Sequence, residues 1–125
     1  MKDKSKHRGY CDFSAYMLSS LIRRREISAV EALESALVRI TAVDGRPGGL
    51  DNGDLTPADE RTVHAFITLT EERARAQAQE VDRQLAAGED PGPLAGVSVT
   101  IKDTFCVQGT PSTAGSRILS NFVAS

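Results

Sequence analysis

Apolar residues recur at helical spacing in three separate stretches of this 125-residue chain, and alternate as a strand in only one. Each amphipathic helix must bury its stripe against another layer, and a lone strand is too little to supply one. Three stripes and a single strand therefore describe an incomplete domain, whose apolar faces outnumber the sheet available to cover them.

The first stretch begins at Ser14 and runs to about Arg25, with Met17, Leu18, Leu21 and Ile22 on one face. Arg23, Arg24 and Arg25 end it, where positive charge suits the helix dipole. The second opens with Ser28-Ala29-Val30-Glu31, a capping box in which serine and glutamate satisfy backbone N–H groups reciprocally. Val30, Leu33, Leu37 and Ile40 continue its stripe, so the spacing predicts an antiparallel or angled helix pair joined by Glu26-Ile27. Asp44 to Arg61 holds four glycines and two prolines without periodicity, and reads as an ornamental loop.

His64 to Leu69 is a short strand-like run, after which Thr70 can cap a third helix from about Glu71 to Ala87. Ala74, Ala78, Val81 and Leu85 make its stripe, Glu71 and Arg75 an i,i+4 pair, and Gly88 its stop. Pro91-Gly92-Pro93 turns the chain into the alternating strand, with Val97, Val99 and Ile101 on one face and Ser98, Thr100 and Lys102 on the other. Gly109 to Ser116 is small and polar, which suits close backbone approach, and Ser116 is expected to open a further short helix. An unpaired strand edge at Val97–Ile101 invites association, so the chain alone is expected to be marginal, partly helical and aggregation-prone. Gly109 to Ser125 is expected to be its least ordered part.

Composition excludes more than it suggests. A net charge of -2 is too small to point to a nucleic-acid or membrane-surface partner. The basic start, MKDKSKHRGY, has no apolar run behind it that would make a signal peptide, and no stretch approaches a membrane span. Residues 1–12 read as a flexible leader. Cys11 and Cys106 are far apart and are expected to be free thiols of a cytoplasmic protein, with Cys106 buried and inert. His7 and His64 have no cysteine or carboxylate at ligand spacing, so no metal site is expected.

One residue carries chemistry. Lys102 ends the apolar strand and precedes Asp103 and a Gly/Thr/Ser-rich stretch. Burial disfavours the charged form of a lysine, and lowering its pKa from about 10.4 to about 7 costs roughly 4–5 kcal/mol, which a large core can sustain. The neutral amine can then serve as a general base toward a serine hydroxyl. The alternative is a solvated lysine at a strand end, paired with Asp103.

The segment Pro93-Leu94-Ala95-Gly96-Val97-Ser98-Val99-Thr100-Ile101-Lys102-Asp103 resembles the PLAG(I/V)P(I/V)xxKD motif of the amidase-signature family. Gly109 to Arg117 is similar to that family's GxPTTAGS, and Glu26 to Glu31 resembles its first helical hairpin. Ala65 to Glu72 is especially like the A-subunit branch that serves glutamyl-tRNA(Gln) and aspartyl-tRNA(Asn) amidotransferases. The likeness covers most of residues 13 to 123.

The resemblance implies an α/β fold, with a helical hairpin and a long helix leading into a mixed central sheet. Residues 13–125 would be its N-terminal portion, cut before the catalytic serines. It further implies a Ser-cis-Ser-Lys triad with Lys102 as the lysine, in an amidase that hydrolyses glutamine. Ammonia would pass to a B subunit that converts tRNA-bound glutamate to glutamine. A C subunit would brace the pair, ATP and Mg would belong to the partner, and tRNA would be met only indirectly. No cofactor is expected in this chain. Thr104, Cys106, Ser98 and Ser112 depart from residues common in the family, and Ser112, Ser116 and Ser120 do not stand in for its GGSSGG-like motif. The fragment itself is expected to be inactive. A stand-alone amidase, or a non-enzymatic truncation product, are the alternatives.

Overall fold

The computed structural model describes residues 9–45, 57 and 59–125. Most of the expected leader, His7 with it, and residues 46–56 and 58 of the Asp44–Arg61 loop lie outside the described residues. Among the described residues three α-helices form: α1 (Ala15–Arg23), α2 (Ala29–Asp44) and α3 (Glu71–Ala86). Single 3-10 turns stand at Tyr10–Asp12, Asp59–Arg61 and Arg117–Leu119. The chain divides into two compact units, one of residues up to Arg39 with Glu71–Ser98, the other of Ile40–Thr70 with Val99–Ser125.

In the first unit the helix boundaries follow local chemistry. Ser14 caps α1, its Oγ accepting from the Met17 N–H at 3.2 Å. Helix α1 ends with Arg25 N–H donating to the Ile22 carbonyl (2.9 Å) and Glu26 N–H to the Leu21 carbonyl (3.0 Å). That bond pattern requires a left-handed residue, and Arg25 supplies it at φ 57° where glycine is usual, at a cost of roughly 1 kcal/mol. Helix α3 ends in the same way with Gly88 at φ 78° and no such strain. The capping box of α2 forms as the sequence indicates. Ser28 N–H donates to Glu31 Oε2 at 2.8 Å, and Glu31 N–H donates to Ser28 Oγ at 3.0 Å. A second cap comes from α3, where the Asp82 carboxylate accepts from the N–H groups of Ala29 (2.7 Å) and Val30 (3.2 Å).

The core of this unit is Ile22, Ala29, Ala32, Leu33 and Ala78, flanked by Leu18, Ile27, Val30, Leu37, Ala74, Val81 and Leu85. Alanine at three of the five central positions lets backbones approach closely, and burying Ile22 contributes about 2 kcal/mol. Ion pairs of Arg75 with Glu34 (2.6 Å) and Glu71 (3.0 Å) line its rim, each too exposed to matter much for stability. The turn of the PLAG segment docks here through Gly96. It sits at φ 70°, and a Cβ on it would lie 2.7 Å from Ile22 Cδ1 and 2.8 Å from Ala29 Cβ. Ser19, buried on α1, donates its hydroxyl to the Pro93 carbonyl at 2.7 Å and fixes the turn's other end.

In the second unit the last turn of α2 is closed by the chain that follows. The Val63 and His64 N–H groups donate to the carbonyls of Val43 and Asp44 (3.0 and 3.3 Å). The buried Asp44 carboxylate accepts from Ala65 N–H and from Phe66 N–H. His64–Leu69, strand-like in sequence, is thus no strand: its first residues satisfy a helix end, and His64 turns left-handed at φ 51°.

The main difference from the sequence reading is the sheet. No strand forms among the described residues, and Val97–Ile101 carries no ladder; Val99 and Ile101 are exposed. Alternating apolarity prepares a strand, but a ladder needs a neighbour's N–H and C=O groups. The α/β mixed sheet is therefore not seen. Residues 109–125, expected to be least ordered, are tied by Gly109 N–H to Ala124 O (2.8 Å), Ala124 N–H to Thr110 O (3.1 Å) and Ser112 N–H to Phe122 O (3.1 Å). These flank a single antiparallel bridge between Pro111 and Val123, a non-hydrogen-bonded pair in which proline's missing N–H leaves no partner unsatisfied.

Candidate functional site

Lys102 stands at the start of the best-defined polar arrangement of the second unit. The residue is exposed, which differs from the buried lysine that the strand pattern predicts, because no sheet forms around it. The Asp103 carboxylate beside it is given over to the turn at Thr113–Gly115. Its Oδ2 accepts from Thr113 Oγ1 at 2.6 Å, Thr113 N–H at 3.0 Å and Gly115 N–H at 3.2 Å. The Asp103 carbonyl accepts from Ala114 N–H (3.3 Å) and Ser112 Oγ (3.2 Å).

These contacts have an electrostatic consequence. The Thr113 hydroxyl first, and the backbone N–H groups of 113–115 with it, hold the Asp103 carboxyl below the usual carboxylate range, against partial desolvation. Two successive left-handed residues, Ala114 at φ 50° and Gly115 at φ 69°, bend the turn so that its N–H groups converge. Ser112 and Thr113 are buried at 6% and 4% exposure, so water does not compete for the carboxylate's strongest donor.

Ser112 and Ser116, which follow Lys102 in the sequence, are committed elsewhere. Ser112 Oγ also lies 3.3 Å from the Phe105 carbonyl, and Ser116 Oγ caps the 3-10 turn by accepting from Ile118 N–H. Cys106 is free and exposed, contrary to the buried thiol expected, and Cys11 is likewise free and exposed. The His64 ring Nε2 lies 2.8 Å from Thr62 Oγ1, whose hydroxyl donates to the Asp59 carbonyl, so this histidine supports a turn. No group of three His, Cys, Asp or Glu among the described residues could hold a metal ion. No described helix is long and apolar enough to cross a membrane.

Sequence reasoning singles out Lys102 and passes over the turn that follows it. It offers Asp103 only as a partner for Lys102, and Thr113 not at all. An acidic residue followed ten and twelve positions later by Thr and Gly is too common a spacing to signal a caged carboxylate. An open groove of about 470 Å³, lined by Tyr16, Ser19, Ser20, Arg23, Arg24, Asp90 and Pro93, lies in the first unit. Its Arg23 is already engaged by Asp90 (2.7 Å) and the Gly92 carbonyl (2.6 Å), which leaves little to meet a ligand.

Comparison with known proteins follows the motif. The family model described as amidase matches residues 57–125. The A subunit of glutamyl-tRNA(Gln) amidotransferase from Desulforamulus reducens is 38% identical over 110 residues, and that from Salinispora tropica 44% over 110. Its counterpart from Geobacter sp. strain M21 is 42% identical over 112 residues. These alignments cover 88%, 88% and 90% of the chain, and the chain spans about a fifth of each relative's length (19%, 19% and 20%).

Proposed function

Because the chain belongs to the amidase family, we propose that it is the N-terminal part of the A subunit of a glutamine-hydrolysing amidotransferase, with Lys102 as the general base. The observation that carries this reading is the union of two motif segments at one place. Lys102-Asp103 and Ser112-Thr113-Ala114-Gly115 are joined beside the lysine into one turn system by hydrogen bonds that span nine to twelve residues of sequence. Identity of 38–44% to amidotransferase A subunits over 88–90% of the chain supports the choice of glutamine as the amide.

In this reading the lysine amine accepts a proton, by way of a bridging serine, from a second serine whose oxygen attacks the glutamine carboxamide carbon. The C–N bond breaks as the lysine returns that proton to the leaving nitrogen, ammonia departs, and water then releases glutamate from the acyl-enzyme. Both serines belong to the further length that the relatives possess. So do the sheet strands that would pair with Val97–Ile101 and bury Lys102, completing an α/β fold with a mixed sheet. Residues 13–125 are then the domain's N-terminal portion. Ammonia passes to a B subunit that uses ATP and Mg to amidate tRNA-bound glutamate, a C subunit braces the assembly, and the whole works in the cytoplasm.

The test is Lys102→Ala in a full-length chain carrying this segment. A triad without its base loses nearly all covalent catalysis, so ammonia release from glutamine should fall by at least about 10³-fold while circular dichroism stays unchanged. Near-normal turnover in that variant would sink the assignment.

A further inference from the structure

We infer that Thr113 is a positioning residue whose side chain keeps the Asp103 carboxylate from pairing with the Lys102 amine. The inference rests on the reading of Lys102 as a general base. A carboxylate one residue away is an ordinary counter-ion for a lysine. At about 4 Å in water such a pair holds the lysine proton roughly fivefold more tightly, and more so where water is excluded. That tightening opposes the work of a base.

The structure puts the carboxylate to a different use. Asp103 Oδ2 takes three donors, all of them neutral and all from the turn: Thr113 Oγ1, Thr113 N–H and Gly115 N–H. Among the described residues no cation shares it, and Lys102 makes no ion pair with it. Thr113 provides the shortest of the three contacts and is the one donor that a substitution removes without disturbing the backbone. Its buried hydroxyl also accepts from Gly115 N–H at 3.2 Å, so the side chain knits the cage as well as closing it. Without it, one carboxylate oxygen keeps only two backbone donors and can swing toward the neighbouring amine.

The experiment measures the pH dependence of ammonia release from glutamine in the full-length chain carrying this segment. Thr113→Val should move the acid limb to higher pH by about half to one unit, and adding Asp103→Asn should return it. Thr113→Ser, which keeps the hydroxyl, should retain the original limb. Asp103→Asn alone should leave the limb in place, and this serves if Thr113→Val does not fold. An unmoved limb in Thr113→Val, a shift that Asp103→Asn fails to reverse, or a limb lowered by Asp103→Asn alone would overturn the inference. Lys102→Ala separates the two levels. If it is inactive while the limb never moves, only the role of Thr113 falls; if it is active, the base assignment falls first.

Discussion

At Gly96 a single absent methyl group lets the PLAG turn rest on α1 and α2. The position is closed twice over, by its φ of 70° and by contacts of 2.7 and 2.8 Å that an added Cβ would make. Ile22 Cδ1 could swing aside, but Ala29 Cβ is fixed to a helix. Gly96→Ala should therefore cost about 2–4 kcal/mol, seen as a lower midpoint in urea unfolding. A loss under about 0.5 kcal/mol would mean that the turn docks differently. Asp103 gives a pH signature. Its folded-state pKa lies below the unfolded one, so its contribution is complete above the unfolded value, near 3.8, and disappears as pH falls through the lower folded value. The Thr113 and Gly115 amide resonances should hold steady from pH 7 to about 4 and move below it, and Asp103→Asn should abolish that step. Lys102 is legible in the sequence because a motif marks it. The cage around Asp103 is not, since its bonds join residues ten and twelve apart with no periodicity to announce them. Arg25 reads as a cationic helix end and is also the left-handed turn of that helix, a conformation that nothing in an arginine foretells.

Among the elements, the helices are the legible part. The 3.6-residue period locates α1 and α3 within two residues of their ends, and the Ser28–Glu31 box marks where α2 begins, because those signals act inside one segment. What α3 does for α2 is not legible. Asp82 caps Ala29 and Val30 across more than fifty residues of sequence, and only tertiary packing brings it there. Asp82→Ala removes both bonds from a partly buried helix start, and should cost about 1–2 kcal/mol with a matching fall in the thermal midpoint followed at 222 nm. A variant as stable as its parent would mean that Ser28 and Glu31 alone cap α2. The strand at Val97–Ile101 fails for the opposite reason. Its alternation is genuine, yet pairing is a property of two segments, and no second segment among the described residues meets it.

For the molecule as a whole, the exposed apolar residues set the behaviour. Val63, Val99, Ile101, Phe105, Ile118, Leu119, Phe122 and Val123 all lie in the second unit with 40% or more of their surface in water. Such surface drives association. The isolated chain should elute as oligomers at concentrations above roughly 10–100 μM, and lengthening it to the span of its relatives should shift it toward defined species. A monomer with a sharp, high-temperature melt would contradict this. The manner of association is narrowed by Pro111. In a non-hydrogen-bonded pair, the backbone groups of residue 111 face away from Val123, and proline offers no N–H on that outer side. A strand arriving there would find one rung missing from its ladder. Chains that stick together through these side chains should therefore form amorphous clusters, since the 109–112 arm is a poor template for ordered fibril growth.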